Sequence, residues 1–158
     1  MKLLGTNCNP FDAWLVNNGM KTLALRMDRH SSNAFEIAKR LEKIDEVKLV
    51  NYPFLDSHKT NDIARKQMKY GGGMLSFELQ GGLEKGIQFM NSVTIPCLAP
   101  TLGNIDSLIV HPASMSHSNV DKAVRDANGI TDGLIRMSVG IEDVEDLFED
   151  LEQAINKK

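Results

Sequence analysis

The pattern of apolar and polar residues predicts helices alternating with short strands. The clearest signal is a long helix whose apolar positions step by four and three residues and so form one stripe: Leu23, Met27, His30, Ala34, Ile37, Leu41 and Ile44. A shorter helix precedes it. Asn9 is its expected cap, Pro10 its first residue, and Gly19 its expected end.

Shorter periodic segments fill the rest of the chain. Strands are expected over residues 47–52, 74–79, 97–98, 107–110 and 134–139, and further helices over 61–69, 83–91, 120–128 and 141–155. The pattern predicts a single domain with an α/β fold of the α+β type. In this fold, helices cover one side of a small, largely antiparallel sheet.

The last strand carries the best candidate for chemistry. Alternation places Arg136 on one face between Leu134 and Ser138, while the intervening residues point to the other face. A guanidinium held between apolar neighbours can bind a carboxylate through two parallel hydrogen bonds. From the pattern alone, the alternative is a solvated arginine on a half-exposed strand.

Composition and charge exclude several classes of protein. The 158 residues are 42% hydrophobic and 25% charged, and their net charge is −3 without a basic cluster, which argues against nucleic-acid binding. No apolar run reaches the length of a membrane span, and the first ten residues do not read as a signal peptide. Cys8 and Cys97 form no framework or CxxC pair, so we expect a reduced, cytoplasmic setting.

Other polar residues are expected to have structural roles. His30 lies in the apolar stripe and is expected to be a satisfied core or groove histidine. His111 and His117 are six residues apart, which does not favour a metal site. Asp132 is expected to fix a turn, and the three glycines at 71–73 form a turn rather than a phosphate loop.

Four stretches together resemble a known family. They are Asn9-Pro-Phe-Asp-Ala-Trp-Leu15 running into Gly19-Met-Lys-Thr-Leu23; Leu25-Arg-Met-Asp-Arg-His30; the segment from Leu102-Gly-Asn-Ile-Asp to Met115-Ser-His117; and the segment from Gly129-Ile-Thr-Asp-Gly to Val144-Glu-Asp-Leu147. Their order is similar to that in the C-terminal domain of the Cys/Met-metabolism enzymes, fold-type I enzymes that depend on pyridoxal phosphate. The resemblance covers nearly the whole chain.

The resemblance implies a role for three residues. Arg136 matches the arginine that binds the α-carboxylate of the substrate. Thr101 matches a position usually held by serine, which lies beside the cofactor lysine; threonine keeps the hydroxyl and adds a methyl group. Leu102 follows it in the wall of the pocket. The resemblance implies no catalytic, cofactor-binding or metal-binding residue in this chain.

The resemblance also implies an incomplete site. The family's cofactor lysine and phosphate cradle lie in a larger domain upstream of everything matched here. Residues 1–9 show no periodicity and are expected to be a connecting segment. The resemblance implies that residues 10–158 are the small domain of a sulfur amino acid lyase or transferase that acts by γ-elimination or γ-replacement. Alone, the chain is expected to be inactive and not to bind the cofactor. The alternative is a free-standing, non-catalytic binding or interaction module.

The expected partners are an amino-acid carboxylate and the larger domain. The first helix presents Phe11, Trp14 and Leu15, which we expect to be exposed without that domain. An exposed apolar patch favours self-association, so a dimer or weak oligomer is predicted.

Overall fold

The computed structural model of the chain describes Gly5 and residues 7–157. In chain order its elements are α1 (Pro10–Lys21), α2 (Leu23–Leu41), β1 (Val47–Asn51), α3 (Asn61–Gln67), β2 (Met74–Leu79), α4 (Gly82–Met90), β3 (Cys97–Leu98), β4 (Leu108–Val110), α5 (Lys122–Ala127), β5 (Leu134–Ser138) and α6 (Val144–Asn156). Most of the predicted connecting segment, namely residues 1–4 and 6, lies outside the described residues.

The five strands form one open sheet in the order β1-β2-β5-β4-β3. The pairs β1–β2, β2–β5 and β5–β4 are antiparallel, and only β3 and β4 run parallel. The predicted α+β fold with a largely antiparallel sheet is confirmed. Strands distant in sequence are neighbours here, since β5 lies between β2 and β4.

One face of the sheet forms the core with α2, α4 and α6. Leu75, Phe77 and Leu79 of β2 point to this face and are buried, as are Ile135 and Met137 of β5. They share one apolar cluster with buried residues of all three helices. Full burial of a side chain such as Phe77 stabilises the fold by about 1.5–3 kcal/mol.

The opposite face, which we call the open face, carries the alternate residues of the same strands. Ser76 of β2 lies opposite Arg136 of β5, and Asn51 of β1 lies opposite Ser76, so these three positions form a row across the sheet. Ser76 and Arg136 are half-buried and Asn51 is exposed. The predicted facing of Arg136, away from the buried Ile135 and Met137, is confirmed.

Helix α1 is longer than predicted. It continues through Gly19 and ends at Lys21, so the expected end at Gly19 is wrong. The carbonyl of Gly19 accepts hydrogen bonds from the Arg26 guanidinium at 2.7 Å and from the Thr22 hydroxyl at 3.3 Å. These bonds satisfy a carbonyl near the helix end, so the left-handed glycine that often terminates a helix is not needed.

Two other boundaries also differ from the prediction. Helix α6 begins at Val144 rather than at 141, because the Asp143 side chain accepts from the Glu145 N–H and caps the helix. Helix α2 ends at Leu41, so Ile44 packs on the core from outside the helix. The first part of the apolar stripe is exposed, with Leu23 45% accessible, because the core lies only under the stripe from His30 onward.

Helix α1 buries none of its residues. Its apolar side chains are exposed as predicted, with Trp14 55% accessible and Phe11 stacked on it at 5.9 Å between ring centroids. Within the described part of the chain, no helix is long and apolar enough to cross a membrane.

Candidate functional site: an arginine on the open face

Arg136 is held in place by the backbone of a neighbouring segment. Its Nη2 atom donates to the carbonyl oxygens of Pro100 at 2.9 Å and Thr101 at 3.0 Å. Its Nε atom is buried and has no hydrogen-bond partner among the described residues. Nη2 is therefore anchored and Nε is shielded, which leaves Nη1, without a hydrogen-bond partner among the described residues, as the donor for a ligand.

The segment that anchors Arg136 is itself tied to β5. The N–H of Gly103 donates to the Ser138 hydroxyl at 3.0 Å, and Ser138 lies two residues beyond Arg136 on the same strand. Gly103 has a φ of +84°, in the left-handed region that favours glycine. Arg136 and Ser138 thus hold both ends of the short segment that contains Thr101 and Leu102.

Thr101 and Leu102 lie at the surface beside Arg136. Thr101 is exposed and reaches Arg136 through its carbonyl, and the Leu102 side chain is 56% accessible. The structure therefore brings the three predicted site residues to one edge of the open face. Their roles in binding substrate stay predictions.

Helix α2 fixes the end of β5. The His30 imidazole, 6% accessible, donates from Nδ1 to the Val139 carbonyl at 2.6 Å. The Asn33 amide donates to the carbonyls of Gly140 at 3.2 Å and Glu142 at 2.9 Å. The prediction that His30 is a satisfied core histidine is confirmed.

A carboxylate fixes the other side of the same turn. Glu142 accepts from the Ser107 N–H at 2.6 Å and from its hydroxyl at 3.0 Å, and that hydroxyl accepts from the Gly140 N–H at 2.8 Å. A Cβ atom on Gly140 would overlap the Ile105 carbonyl. These contacts join the start of β4 to the end of β5, and so keep the segment at 100–103 close to Arg136.

A shallow groove of about 280 Å³ runs along the open face at Arg136. Its wall is formed by polar and apolar residues of β1, β2, β5 and the loop after β1, namely Asn51, Pro53, His58, Met74, Leu75, Ser76 and Arg136. The Asn51 amide donates to the Ser76 hydroxyl at 3.3 Å. Sequence reasoning did not find Asn51, His58 or Ser76, because the strand register places Asn51 and Ser76 beside Arg136 and the path of the loop after β1 brings His58 there.

The other candidate residues have structural partners. The His111 ring is buried; its Nε2 donates to the Asp132 carbonyl at 2.7 Å, so Nδ1 accepts from the Ser114 hydroxyl at 2.8 Å. The Asp132 carboxylate accepts from Lys122 and Arg125. Their hydrogen bonds, that of Lys122 foremost, lower the pKa of Asp132 against the opposing effect of desolvation. Across residues 5 and 7–157 no cluster of three or more His, Cys, Asp or Glu side chains could hold a metal ion.

Comparison with known proteins identifies the family. The family described as Cys/Met metabolism PLP-dependent enzyme, PLP being pyridoxal phosphate, matches residues 1–156. The chain belongs to this family. The resemblance inferred from the four stretches is confirmed.

Two relatives that this chain resembles are lyases by name. It is 47% identical over 155 residues to an L-methionine gamma-lyase of Fusobacterium nucleatum subsp. polymorphum, which covers 98% of this chain and 39% of that protein. It is 48% identical over 152 residues to a cystathionine beta-lyase of Coxiella burnetii, which covers 96% of this chain and 39% of that protein. The chain thus spans about two fifths of the length of these curated relatives.

The residues near Arg136 can be compared with what the family's cofactor needs. Pyridoxal phosphate bonds covalently to a lysine amine and requires donors for its phosphate. The described walls of the groove contain one guanidinium and one imidazole but no lysine. These residues suit a carboxylate better than the aldehyde and phosphate of the cofactor.

Proposed function

We propose that this chain is the substrate-carboxylate-binding domain of a PLP-dependent carbon–sulfur lyase or transferase acting on a sulfur amino acid. Arg136 binds the α-carboxylate, and Thr101 and Leu102 line the wall beside it. The reaction is γ-elimination or γ-replacement. The names of the relatives, a methionine gamma-lyase and a cystathionine beta-lyase, support a lyase of this substrate class.

The observation that carries this proposal is how the Arg136 guanidinium is held by backbone hydrogen bonds. Two backbone carbonyls fix Nη2, at 2.9 and 3.0 Å, while Nε lacks a partner among the described residues. An arginine held in this way loses little side-chain freedom when it binds a carboxylate. Hydrogen bonds to charged groups contribute about 1.5–3 kcal/mol, enough to hold one end of a small substrate.

Arg136 contributes orientation to the reaction. Pyridoxal phosphate supplies the electron sink when it is bound. Holding the substrate carboxylate at one point of the open face fixes the direction of the bonds at the α-carbon, and such positioning can lower a barrier by several kcal/mol. The anchors at Pro100, Thr101 and Ser138 keep that point constant relative to the sheet.

The apolar face of α1 is where the chain meets its partner. We assign this face, with Phe11, Trp14 and Leu15 exposed, to contact with the cofactor-binding domain. Without that domain the same face favours weak self-association. The relatives are about two and a half times as long as the matched segment, which is consistent with a further domain of this kind.

A titration of the chain with amino acids tests the carboxylate site. L-Methionine should shift the backbone amide resonances of residues 100–103 and 136 with a Kd of about millimolar, typical of a single anchored charge. L-Methioninol has the same side chain and amine but an alcohol in place of the carboxylate, and it should bind at least about tenfold more weakly. Equal affinities for the two compounds would contradict the proposal.

An absorbance titration with pyridoxal phosphate tests whether the chain holds the cofactor alone. We expect no stoichiometric visible band of the kind produced when the cofactor bonds to a lysine. A saturable band that disappears on adding a sulfur amino acid would contradict this part of the proposal. Carboxylate binding without any cofactor band, in a protein that never associates with a larger domain, would instead favour the free-standing binding module.

A further inference from the structure

Four aromatic rings line a pocket beside the first half of α2. The aromatic pocket, as we name it, has a volume of about 140 Å³ and lies between α2, the end of β1 and the turn before β2. Its rings come from three separate segments and are Phe35, Tyr52, Phe54 and Tyr70. The function proposed above does not use this pocket.

The rings are held rigidly. Phe35 and Tyr52 stack with centroids 6.0 Å apart at 24°, and the buried Tyr52 hydroxyl donates to the Gly72 carbonyl at 2.9 Å. Burial raises the pKa of Tyr52 to about 12, so this hydroxyl stays protonated and bound. A Cβ atom on Gly71 would lie 2.5 Å from the Tyr52 ring, so a glycine there lets the segment carrying Tyr70 approach closely.

Two residues with side-chain oxygen acceptors, Ser31 and Asp28, line the pocket together with these rings. Ser31 lines the pocket and is only 5% accessible; its hydroxyl oxygen is buried and has no hydrogen-bond partner within the described part of the chain. Leaving a buried hydroxyl unpaired destabilises the fold, so such a group favours a hydrogen-bond donor. The Asp28 carboxylate lines the same pocket one helical turn earlier on α2 and is exposed.

The same rings already attract basic side chains of this chain. The Lys39 amine lies 4.9 Å from the centroid of Phe35, and the Arg65 guanidinium lies 5.4 Å from that of Phe54. These two cations are paired with acids, Lys39 with Glu36 at 2.6 Å and Arg65 with Asp56 at 3.1 Å. Their charge is therefore largely compensated next to the pocket.

Lys69 is the third basic side chain that lies beside a ring of the pocket, and it lies beside Tyr70. Its amine lies 4.8 Å from the centroid of Tyr70. The hydrogen bond to Tyr70 and, more weakly, the charge of Asp28 raise the pKa of Lys69. The Lys69 ammonium already lies beside the Tyr70 ring, so Lys69, which is exposed, competes with any ligand cation for that position.

We propose that the aromatic pocket binds a small primary alkylammonium ion. The alkyl group packs among the four rings, and the ammonium donates to the Ser31 hydroxyl and the Asp28 carboxylate. Cation–π attraction and charge-assisted hydrogen bonds both favour this charge, while an apolar guest gains only contact with the rings.

The decisive comparison is between n-butylammonium and 1-butanol, which have the same chain length and differ in the charged head. In a titration of the folded chain followed by amide NMR at constant ionic strength, butylammonium should shift residues 28–35 and 70–72 saturably. Butanol should bind at least about tenfold more weakly, the size expected from loss of cation–π and ionic contacts. Equal affinities, or no saturable shift with butylammonium, would overturn the proposal.

Variants test the assigned contacts. Asp28→Asn and Ser31→Ala should each weaken butylammonium binding several-fold and leave butanol unchanged. Lys69→Gln should strengthen butylammonium binding because it removes the competing charge, whereas Lys21→Gln, an exposed lysine on α1, should have no effect. Since Asp28 and Lys69 are exposed, their variants are expected to fold, and an unchanged affinity in both would overturn the proposal.

Discussion

The two faces of the sheet are built from alternate residues of the same strands, yet one is packed against helices and the other lines a groove. On the covered face, Phe77 and Met137 are fully buried against three helices. On the open face, their chain neighbours Ser76 and Arg136 are half-buried and surround a shallow groove. Successive residues of a strand therefore alternate between the buried core and the groove, and a shift of one position moves a residue from one face to the other.

The largest expected effect contrasts neighbours on β2. Phe77→Ala should lower the free energy of unfolding by about 3–5 kcal/mol, because it removes a ring packed edge-on to Phe89 at 5.7 Å in the closed core. Ser76→Ala should change it by less than about 0.5 kcal/mol. Urea denaturation of both variants measures the difference, and similar losses would show that the open face also bears on stability.

A second prediction concerns a carboxylate on the helix layer. Burial would raise the pKa of Asp150, but hydrogen bonds from the Ile95 N–H and from Thr94 outweigh it and hold the pKa below its usual value. A lowered folded pKa stabilises the protein above the unfolded pKa of about 4, and this contribution is lost as the pH falls through the folded pKa.

Asp150→Asn should therefore destabilise the chain by about 1.5–3 kcal/mol at pH 7, the size typical of hydrogen bonds to a charged group. The difference between variant and wild type should shrink as the pH falls below about 4. Urea denaturation at a series of pH values measures it. If the difference in unfolding free energy between the two proteins does not change with pH, the charge of Asp150 does not contribute to its hydrogen bonds with residues 94 and 95.

The third prediction concerns α1, which has no core contact of the kind found on the covered face. Trp14→Glu should reduce self-association several-fold in sedimentation velocity and change the unfolding free energy by less than about 0.5 kcal/mol. Asn17→Glu makes the same charge change on the same exposed helix and is the control. A wild-type chain that remains monomeric at high concentration would contradict the assignment of this face.

Local sequence patterns predicted which face of the sheet a side chain points to, but not which residues of other segments it contacts. Alternation in β5 placed Arg136 opposite the buried Ile135 and Met137, because the two-residue period depends only on the strand itself. Which strands flank β5 depends on long-range pairing, so the position of Ser76 opposite Arg136 could not be read from the sequence. The end of α1 was missed for a similar reason, since the bond from Arg26 to Gly19 spans seven residues.

In the candidate site, too, local patterns indicated candidate residues but not their long-range contacts. Residue type and strand position made Arg136 a candidate, and the resemblance gave it a role and added Thr101 and Leu102. No sequence pattern indicated that Arg136 would be anchored by the Pro100 and Thr101 carbonyls, because backbone acceptors carry no residue signature. Ser138 was placed on the correct face, but its bond to the Gly103 N–H depends on how the loop returns to the sheet.

The most direct test of the account removes the charge of Arg136 and measures carboxylate binding. Arg136→Met keeps much of the side-chain length, and Arg26→Met is a matched loss of one half-buried arginine in the first turn of α2, where Arg26 bonds to the Gly19 carbonyl. In an NMR titration with L-methionine, Arg136→Met should lose at least about tenfold in affinity, as expected when a charged hydrogen bond is lost, and Arg26→Met should match wild type. Unchanged binding by Arg136→Met would contradict the claim that the open face binds the substrate carboxylate.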